Sequence, residues 1–217
     1  TIALTPLEVV TGYATFANGG FKVEPYLLRE LNSINSDITF KADPVVACLS
    51  NCAGLNQAER VVEPRVAHIM DSMLSDAIRK GTGTKAMRSL KRGDLRGKTG
   101  TTNDADIWFS GFTPDLVATT WAGFSDNSPV GNREWGSTTP LETWIEFMAS
   151  ALPSESDSKS LTRPDGIVSV KIDPETGLRI NPADRDGIFE IFREERVPAL
   201  SSLDQEIEEA DISQQIF

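Results

Sequence analysis

Gly97-Lys98-Thr99-Gly100-Thr101-Thr102, with the run that follows at residues 107–124 (IWFSGFTPDLVATTWAGF), decides the fold. Ile107, Phe109 and Gly111 alternate with Trp108, Ser110 and Phe112, a period of two that predicts a strand with one face toward a core. Thr113-Pro114-Asp115 is a turn signal, and residues 116–124 resume β-branched and aromatic character. Two runs so closely spaced predict an antiparallel hairpin. Residues 95–102 then form a third strand beside it.

Working outward, the flanks are helical. Thr5-Pro6-Leu7-Glu8 supplies a cap residue, a proline at the first helical position and an acid in the first turn, before apolar Val9, Val10, Tyr13 and Phe16. That helix ends at Asn18-Gly19-Gly20. Residues 22–31 read as extended and lead into a polar loop. A second helix is predicted over 64–79, stopped by Lys80-Gly81-Thr82-Gly83-Thr84, because two glycines do not sustain a helix. A third covers 140–152, with Thr139 as its cap. Helix, helix, three strands, helix is an α+β arrangement: an antiparallel sheet covered by helices. These elements set a first domain at 1–152. Residues 153–217 form the remainder: the polar linker Pro153-Ser154-Glu155-Ser156-Asp157-Ser158-Lys159-Ser160, a small β-ribbon from 167–172 and 178–180, and an acidic tail at 203–217 expected to be mobile.

Composition narrows the function. A formal charge of -11 over 217 residues gives no basic patch for a phosphate backbone, so nucleic-acid binding is excluded. No apolar run is long enough to span a bilayer, and the chain opens on Thr1, so any anchor or export signal is expected upstream. Cys48 and Cys52 are close enough for a small disulfide loop in an oxidising compartment, or remain two thiols in a reducing one. Zinc, which takes four ligands, is poorly served by two cysteines and the single histidine, His68. His68 falls within the helical spacing of Val66, Ile69, Met70 and Met73 and reads as a residue packed or solvated on that helix. A Ser-His-Asp triad needs a positioned imidazole, so lysine is the better candidate base for acyl-transfer chemistry.

The Lys98 strand is suited to such chemistry. Alternation sends Lys98 and Gly100 to one face and Thr99 and Thr101 to the other, and twist at an edge strand brings neighbouring groups toward one cleft. Gly100 removes a side chain where a substrate backbone must approach. An edge strand offers N–H and C=O groups to an extended peptide. Threonine hydroxyls beside a cation suit a substrate that ends in a carboxylate. Trp108 is placed either to touch the cleft or to pack on the sheet.

Residues 102–115 and Trp121-Ala122-Gly123-Phe124-Ser125-Asp126 resemble the region after the Lys-Thr-Gly box of class A penicillin-binding proteins. So do Thr5-Pro6-Leu7-Glu8-Val9-Val10 with Phe16-Ala17-Asn18-Gly19-Gly20, and Gly166-Ile167-Val168 leading to Ile172-Asp173-Pro174-Glu175-Thr176-Gly177. The resemblance covers most of residues 1–182 in the family's order. It implies the penicillin-binding-protein/β-lactamase-like transpeptidase fold, C-terminal portion only. The implied activity is that of a serine D,D-transpeptidase cross-linking D-Ala-D-Ala stem peptides of peptidoglycan, with β-lactams as further ligands and no cofactor or metal. Lys98 would supply positive charge and proton relay, the hydroxyls of Thr99 and Thr101 would hold the substrate carboxylate beside Gly100, and the Thr101 N–H would form half of an oxyanion hole.

The family's other two boxes have no equivalent in the expected place. Ser156-Asp157-Ser158-Lys159 fits Ser-x-x-Lys but lies in the linker, and Ser33-Ile34-Asn35 fits Ser-x-Asn but follows the Thr5 helix instead of preceding it. The resemblance therefore implies a C-terminal piece, inactive alone. Its partner is the upstream part of the same protein, holding the nucleophile, a glycosyltransferase domain and the anchor that places it on the periplasmic side of the cytoplasmic membrane. Two alternatives share the Lys98 wall: an inert peptide-binding or scaffold module, and a serine β-lactamase or D,D-carboxypeptidase.

Overall fold

Thr5 caps the first helix as its sequence predicts. Its hydroxyl accepts from the Glu8 N–H at 3.3 Å, while the Glu8 carboxylate accepts from the Thr5 N–H at 2.7 Å, so two otherwise orphaned donors are satisfied reciprocally. The computed structural model describes residues 2–33, 38–153, 161–183 and 186–201. The chain divides into two compact units, Thr1–Thr162 and Arg163–Phe217.

The first unit runs α1 (Pro6–Ala17), β1 (Phe21–Lys22), β2 (Glu30–Asn32), β3 (Ile38–Lys41), β4 (Glu59–Arg60), α2 (Pro64–Arg79), α3 (Thr84–Leu90), β5 (Arg96–Thr102), β6 (Asp106–Phe112), β7 (Val117–Gly123) and α4 (Thr139–Ala151). β1 pairs with β4, β2 with β3, and β5-β6-β7 form an antiparallel sheet with β5 at one edge. The order is mixed α+β, with helices on a central antiparallel sheet.

Register assigns the faces of that sheet. Thr99 stands opposite Phe109 and Thr101 opposite Ile107, whereas Lys98 stands opposite Ser110 and Gly100 opposite Trp108. The odd-numbered face of β6 packs on α4: Phe109 meets Trp144 edge to face at 5.0 Å, and Leu141, Met148, Ile78, Leu95 and Ala118 complete a buried cluster. The Trp144 indole N–H donates to the Ala118 carbonyl at 3.1 Å, so its one polar group is satisfied inside the core. The even-numbered face looks toward α1.

Several sequence expectations need correcting. Residues 22–31 are not one extended segment, because strand pairing stops at Lys22 and resumes only at Glu30; Pro25, which lacks an N–H, lies in the interval. Lys80 to Thr84 ends α2, but Thr84 at once begins α3, a helix of 7 residues too short to show a period. The cap of α4 is Thr138, and Thr139 is its first residue. Cys48 and Cys52 are joined as a disulfide. His68 lies on α2, partly buried.

In the second unit, β8 (Ile167–Ile172) pairs with β9 (Ile188–Arg193) over six register positions. Residues 178–180 are therefore not the main partner of β8. They touch its end through one bridge, Ile172 with Arg179, after the turn in which the Gly177 N–H donates to the Asp173 carbonyl at 2.8 Å. Residues 154–160 of the expected linker and the acidic tail at 203–217 lie outside the described residues.

Candidate active site

The edge strand β5 is pinned by an ion pair. The Arg96 guanidinium donates from Nε and Nη2 to the two carboxylate oxygens of Asp71 on α2, each at 2.9 Å, with both side chains about nine-tenths buried. A planar fork on a carboxylate fixes direction as well as distance. Just before it, Arg92 makes the same bidentate contact with Asp94 at 3.0 and 2.7 Å, and its Nη1 donates to the Pro153 carbonyl at 2.9 Å.

Beyond Arg96 the strand turns functional groups to both faces. Lys98, Gly100 and Trp108 line a cleft of about 500 Å³ against Val9 and Tyr13 of α1. Lys98 is exposed, and its ammonium donates to the Thr99 carbonyl at 3.0 Å and to Thr99 Oγ1 at 3.3 Å. An ammonium has three donors, which leaves one for a ligand. Burial pushes the Tyr13 phenol up from its ordinary range, so it is neutral at physiological pH. Trp108 takes both roles foreseen for it: it lines the cleft and lies 6.0 Å from Trp121, whose indole N–H donates to Asp106 at 2.7 Å.

Ser110 is the serine nearest to Lys98 across the strands. It borders the same cleft but is only 3% exposed, and its hydroxyl accepts from Thr119 at 3.0 Å, so it is packed as a sheet residue.

The hydroxyls of the two motif threonines are each held by a partner outside the sheet. Thr101 Oγ1 accepts from the Gly136 N–H at 3.2 Å, which leaves its own O–H to donate. Thr99 Oγ1 lies 2.8 Å from Thr82 Oγ1 in the turn between α2 and α3. The loop bearing Gly136 is tied down in turn: Glu134 accepts from the hydroxyls of Thr138 and Thr139 at 2.7 and 2.9 Å, contacts that hold its carboxyl below the usual carboxylate range. Gly136 presses on the sheet so closely that a Cβ there would stand 2.3 Å from the Trp108 carbonyl oxygen and 2.6 Å from that of Gly100.

Lys98, Thr99 and Gly100 thus meet at the cleft, while the Thr101 side chain faces the Gly136 loop. Thr82, Gly136 and the Asp71–Arg96 pair were not read from sequence. Their roles depend on contacts across 17, 35 and 25 residues, for which composition and period carry no signal; the two glycines around Thr82 were the one local hint. Of the two stray box matches, Ile34 and Asn35 and all of residues 156–159 lie outside the described residues. Among the described residues no three His, Cys, Asp or Glu side chains are grouped to hold a metal, and no helix is long and apolar enough to cross a membrane.

The comparisons with known proteins agree with this architecture. The profile of the penicillin binding protein transpeptidase domain matches residues 1–132. Penicillin-binding protein 1A of Pseudomonas aeruginosa is 36% identical over an alignment covering 91% of this chain and 29% of that protein; its counterpart in Vibrio cholerae is 34% identical over 88% and 27%. The crystal structure of penicillin-binding protein 1A from Haemophilus influenzae superposes with a TM-score of 0.81 at 34% identity, covering 91% of this chain and 33% of that one. The chain therefore spans less than a third of the length of the first two relatives. With more than half of its residues under the domain profile, and the Lys98-Thr99-Gly100 strand at the edge of a helix-covered antiparallel sheet, the chain belongs to the penicillin-binding protein transpeptidase family.

Proposed function

We propose that this chain is one wall of a serine D,D-transpeptidase that cross-links peptidoglycan stem peptides and is acylated by β-lactams. The observation that carries the reading is a Lys-Thr-Gly-Thr edge strand, held by a buried ion pair, beside an open cleft in a chain of this family. In the reaction a serine Oγ attacks the penultimate D-Ala carbonyl, the C–N bond to the terminal D-Ala breaks, and the serine proton passes to the departing amine. An acceptor amine then attacks the ester, the C–O bond breaks, and the serine regains a proton. Lys98 supplies the cation that favours the developing oxyanion and the proton relay, Thr99 and Thr101 donate to the substrate carboxylate, Gly100 lets the peptide backbone approach, and the Thr101 N–H serves the oxyanion hole.

The nucleophile and the Ser-x-Asn box belong to sequence outside these 217 residues, and alone the chain is inactive. Its partners are that upstream part, with a glycosyltransferase domain and membrane anchor, the stem peptide and β-lactams. Residues 1–152 form the transpeptidase portion, and 153–217 the linker, ribbon and acidic extension. The site lies on the periplasmic side of the cytoplasmic membrane, a reading that the Cys48–Cys52 disulfide supports because such bonds persist in oxidising compartments.

Labelling by a fluorescent penicillin, read on a denaturing gel, tests the reading. The chain alone stays unlabelled, and the polypeptide joining it to its upstream sequence is labelled. In that polypeptide Lys98→Ala slows acylation by roughly 100-fold or more, the scale of losing a group that assists proton transfer. A labelled band from this chain alone would place the nucleophile within it, and unimpaired labelling of the Lys98→Ala protein would remove Lys98 from the mechanism.

A further inference from the structure

The turn Gly81-Thr82-Gly83 ends α2 and begins α3, and beyond stopping a helix it has been given no task. Its geometry is specific. The Gly81 N–H donates to the Asp76 carbonyl at 3.2 Å and the Gly83 N–H to the Ala77 carbonyl at 3.0 Å, so the turn is tied to the last residues of α2. A Cβ at Gly81 would stand 2.8 Å from the Ala77 carbonyl oxygen, and one at Gly83 would stand 2.6 Å from Ile78 Cδ1. A side chain at Gly81 would meet backbone and one at Gly83 would displace the end of Ile78, so Thr82 is the one side chain the turn presents. Its hydroxyl lies 2.8 Å from the Thr99 hydroxyl, and either oxygen can be the donor.

Counting hydrogens shows what the contact is for. A hydroxyl has one hydrogen and two lone pairs. Lys98 Nζ, which only donates, already directs an N–H to Thr99 Oγ1 at 3.3 Å. If Thr99 spent its hydrogen on Thr82, it would meet an anion with lone pairs alone. If Thr82 donates instead, both lone pairs of Thr99 Oγ1 are occupied and its hydrogen is left to point at a ligand. With a carboxylate present, only the second arrangement lets the Thr99 hydroxyl donate to it, beside the donor that Lys98 keeps.

We propose that Thr82 is a positioning residue: by donating to Thr99 Oγ1 it turns the Thr99 O–H toward the substrate carboxylate. This rests on the carboxylate-binding role proposed for Thr99. Thr82 touches no reacting atom. It selects which way one hydroxyl faces, so its effect belongs to ligands that carry the carboxylate.

The test uses the full-length protein that contains this chain, with acylation rates measured for benzylpenicillin and for its neutral methyl ester. Thr82→Val is expected to slow acylation by the free acid roughly tenfold, about the worth of one well-made hydrogen bond, and to leave the ester rate unchanged. Thr82→Ser, which keeps the hydroxyl, restores the acid rate to within about twofold, since the donor survives. Adding Thr82→Val to Thr99→Val costs nothing further, because the two act as a unit. Should Thr82→Val misfold, Thr82→Ala is read by the same acid-to-ester ratio. An equal loss for acid and ester, or no rescue by serine, would overturn the proposal. If Thr99→Val alters the ratio while Thr82→Val matches the wild type, the positioning role alone falls; if the wild type is not acylated at all, the role of Thr99 falls and this proposal with it.

Discussion

Helices α1 and α4 lie on opposite faces of the same three-stranded sheet, and they are used very differently. α4 buries Pro140, Leu141, Trp144 and Met148, whereas α1, with Val9, Val10, Tyr13 and Phe16 in its sequence, has no buried residue. Leu7 of α1 is 58% exposed, while Trp144 of α4 is fully enclosed. Apolar content therefore does not decide which helix carries the core. The pleat of β6 decides it, by sending Phe109 toward α4 and Trp108 toward the cleft. Within these 217 residues one face of the sheet is a finished interior and the other is open beside Lys98.

The sharpest way to break this contrast is to truncate one residue on each helix. Trp144→Ala should cost about 3–5 kcal/mol in a denaturant titration, from lost burial and the cavity left behind. Leu7→Ala, on a half-exposed site, should cost less than about 1 kcal/mol. Equal losses would mean that α1 is as much core as α4.

Next in size is the anchor of the open face. Alternation puts Arg96 on the same side of β5 as Lys98, and there the strand is held by charge rather than by apolar packing. Arg96→Ala strands the Asp71 carboxylate and should cost about 3 kcal/mol in the same titration, whereas Asp71→Leu with Arg96→Met together should cost much less, because no lone charge remains. A double variant as unstable as the single one would show that the pair matters for its shape and not for its charge.

The smallest effect concerns the Glu134 loop beneath α4. Because its folded carboxyl is held below the ordinary range by Thr138 and then Thr139, Glu134 stabilises the protein at neutral pH. That contribution is lost as pH falls from the ordinary glutamate value through the lowered folded one. Glu134→Gln should flatten the part of the acid stability profile that lies in this window, measured as the denaturant midpoint against pH. An unchanged profile would mean that the hydroxyl contacts form equally well to the neutral acid.

The elements with strong local periods were legible in the chain. α2 at Pro64–Arg79, the β6–β7 hairpin and α4 follow from apolar spacing and turn residues, and the Lys98 strand is marked by its motif. α3 was missed because seven residues after a glycine turn show too little of a period. β9 was missed because Ile188-Phe189-Glu190-Ile191-Phe192 pairs its apolar residues instead of alternating them. In the candidate site, Lys98, Thr99 and Gly100 announced themselves, but what orients them did not. Thr82 and Asp71 reach β5 only after α2 has folded against it, and Gly136 only after the loop before α4 has crossed the sheet. Local sequence reports the groups that do chemistry far better than those that aim them.

The backbone of Gly136 fills the space against the Gly100 and Trp108 carbonyls that any side chain would need. In a library saturating every codon and selected for acylation, position 136 would therefore return glycine alone, with even alanine depleted. Gly12, where an added Cβ meets nothing within 4 Å, would accept alanine freely. The constraint at position 136 is thus set by the backbone of the strand that bears Lys98 and of its neighbour, not by any side chain.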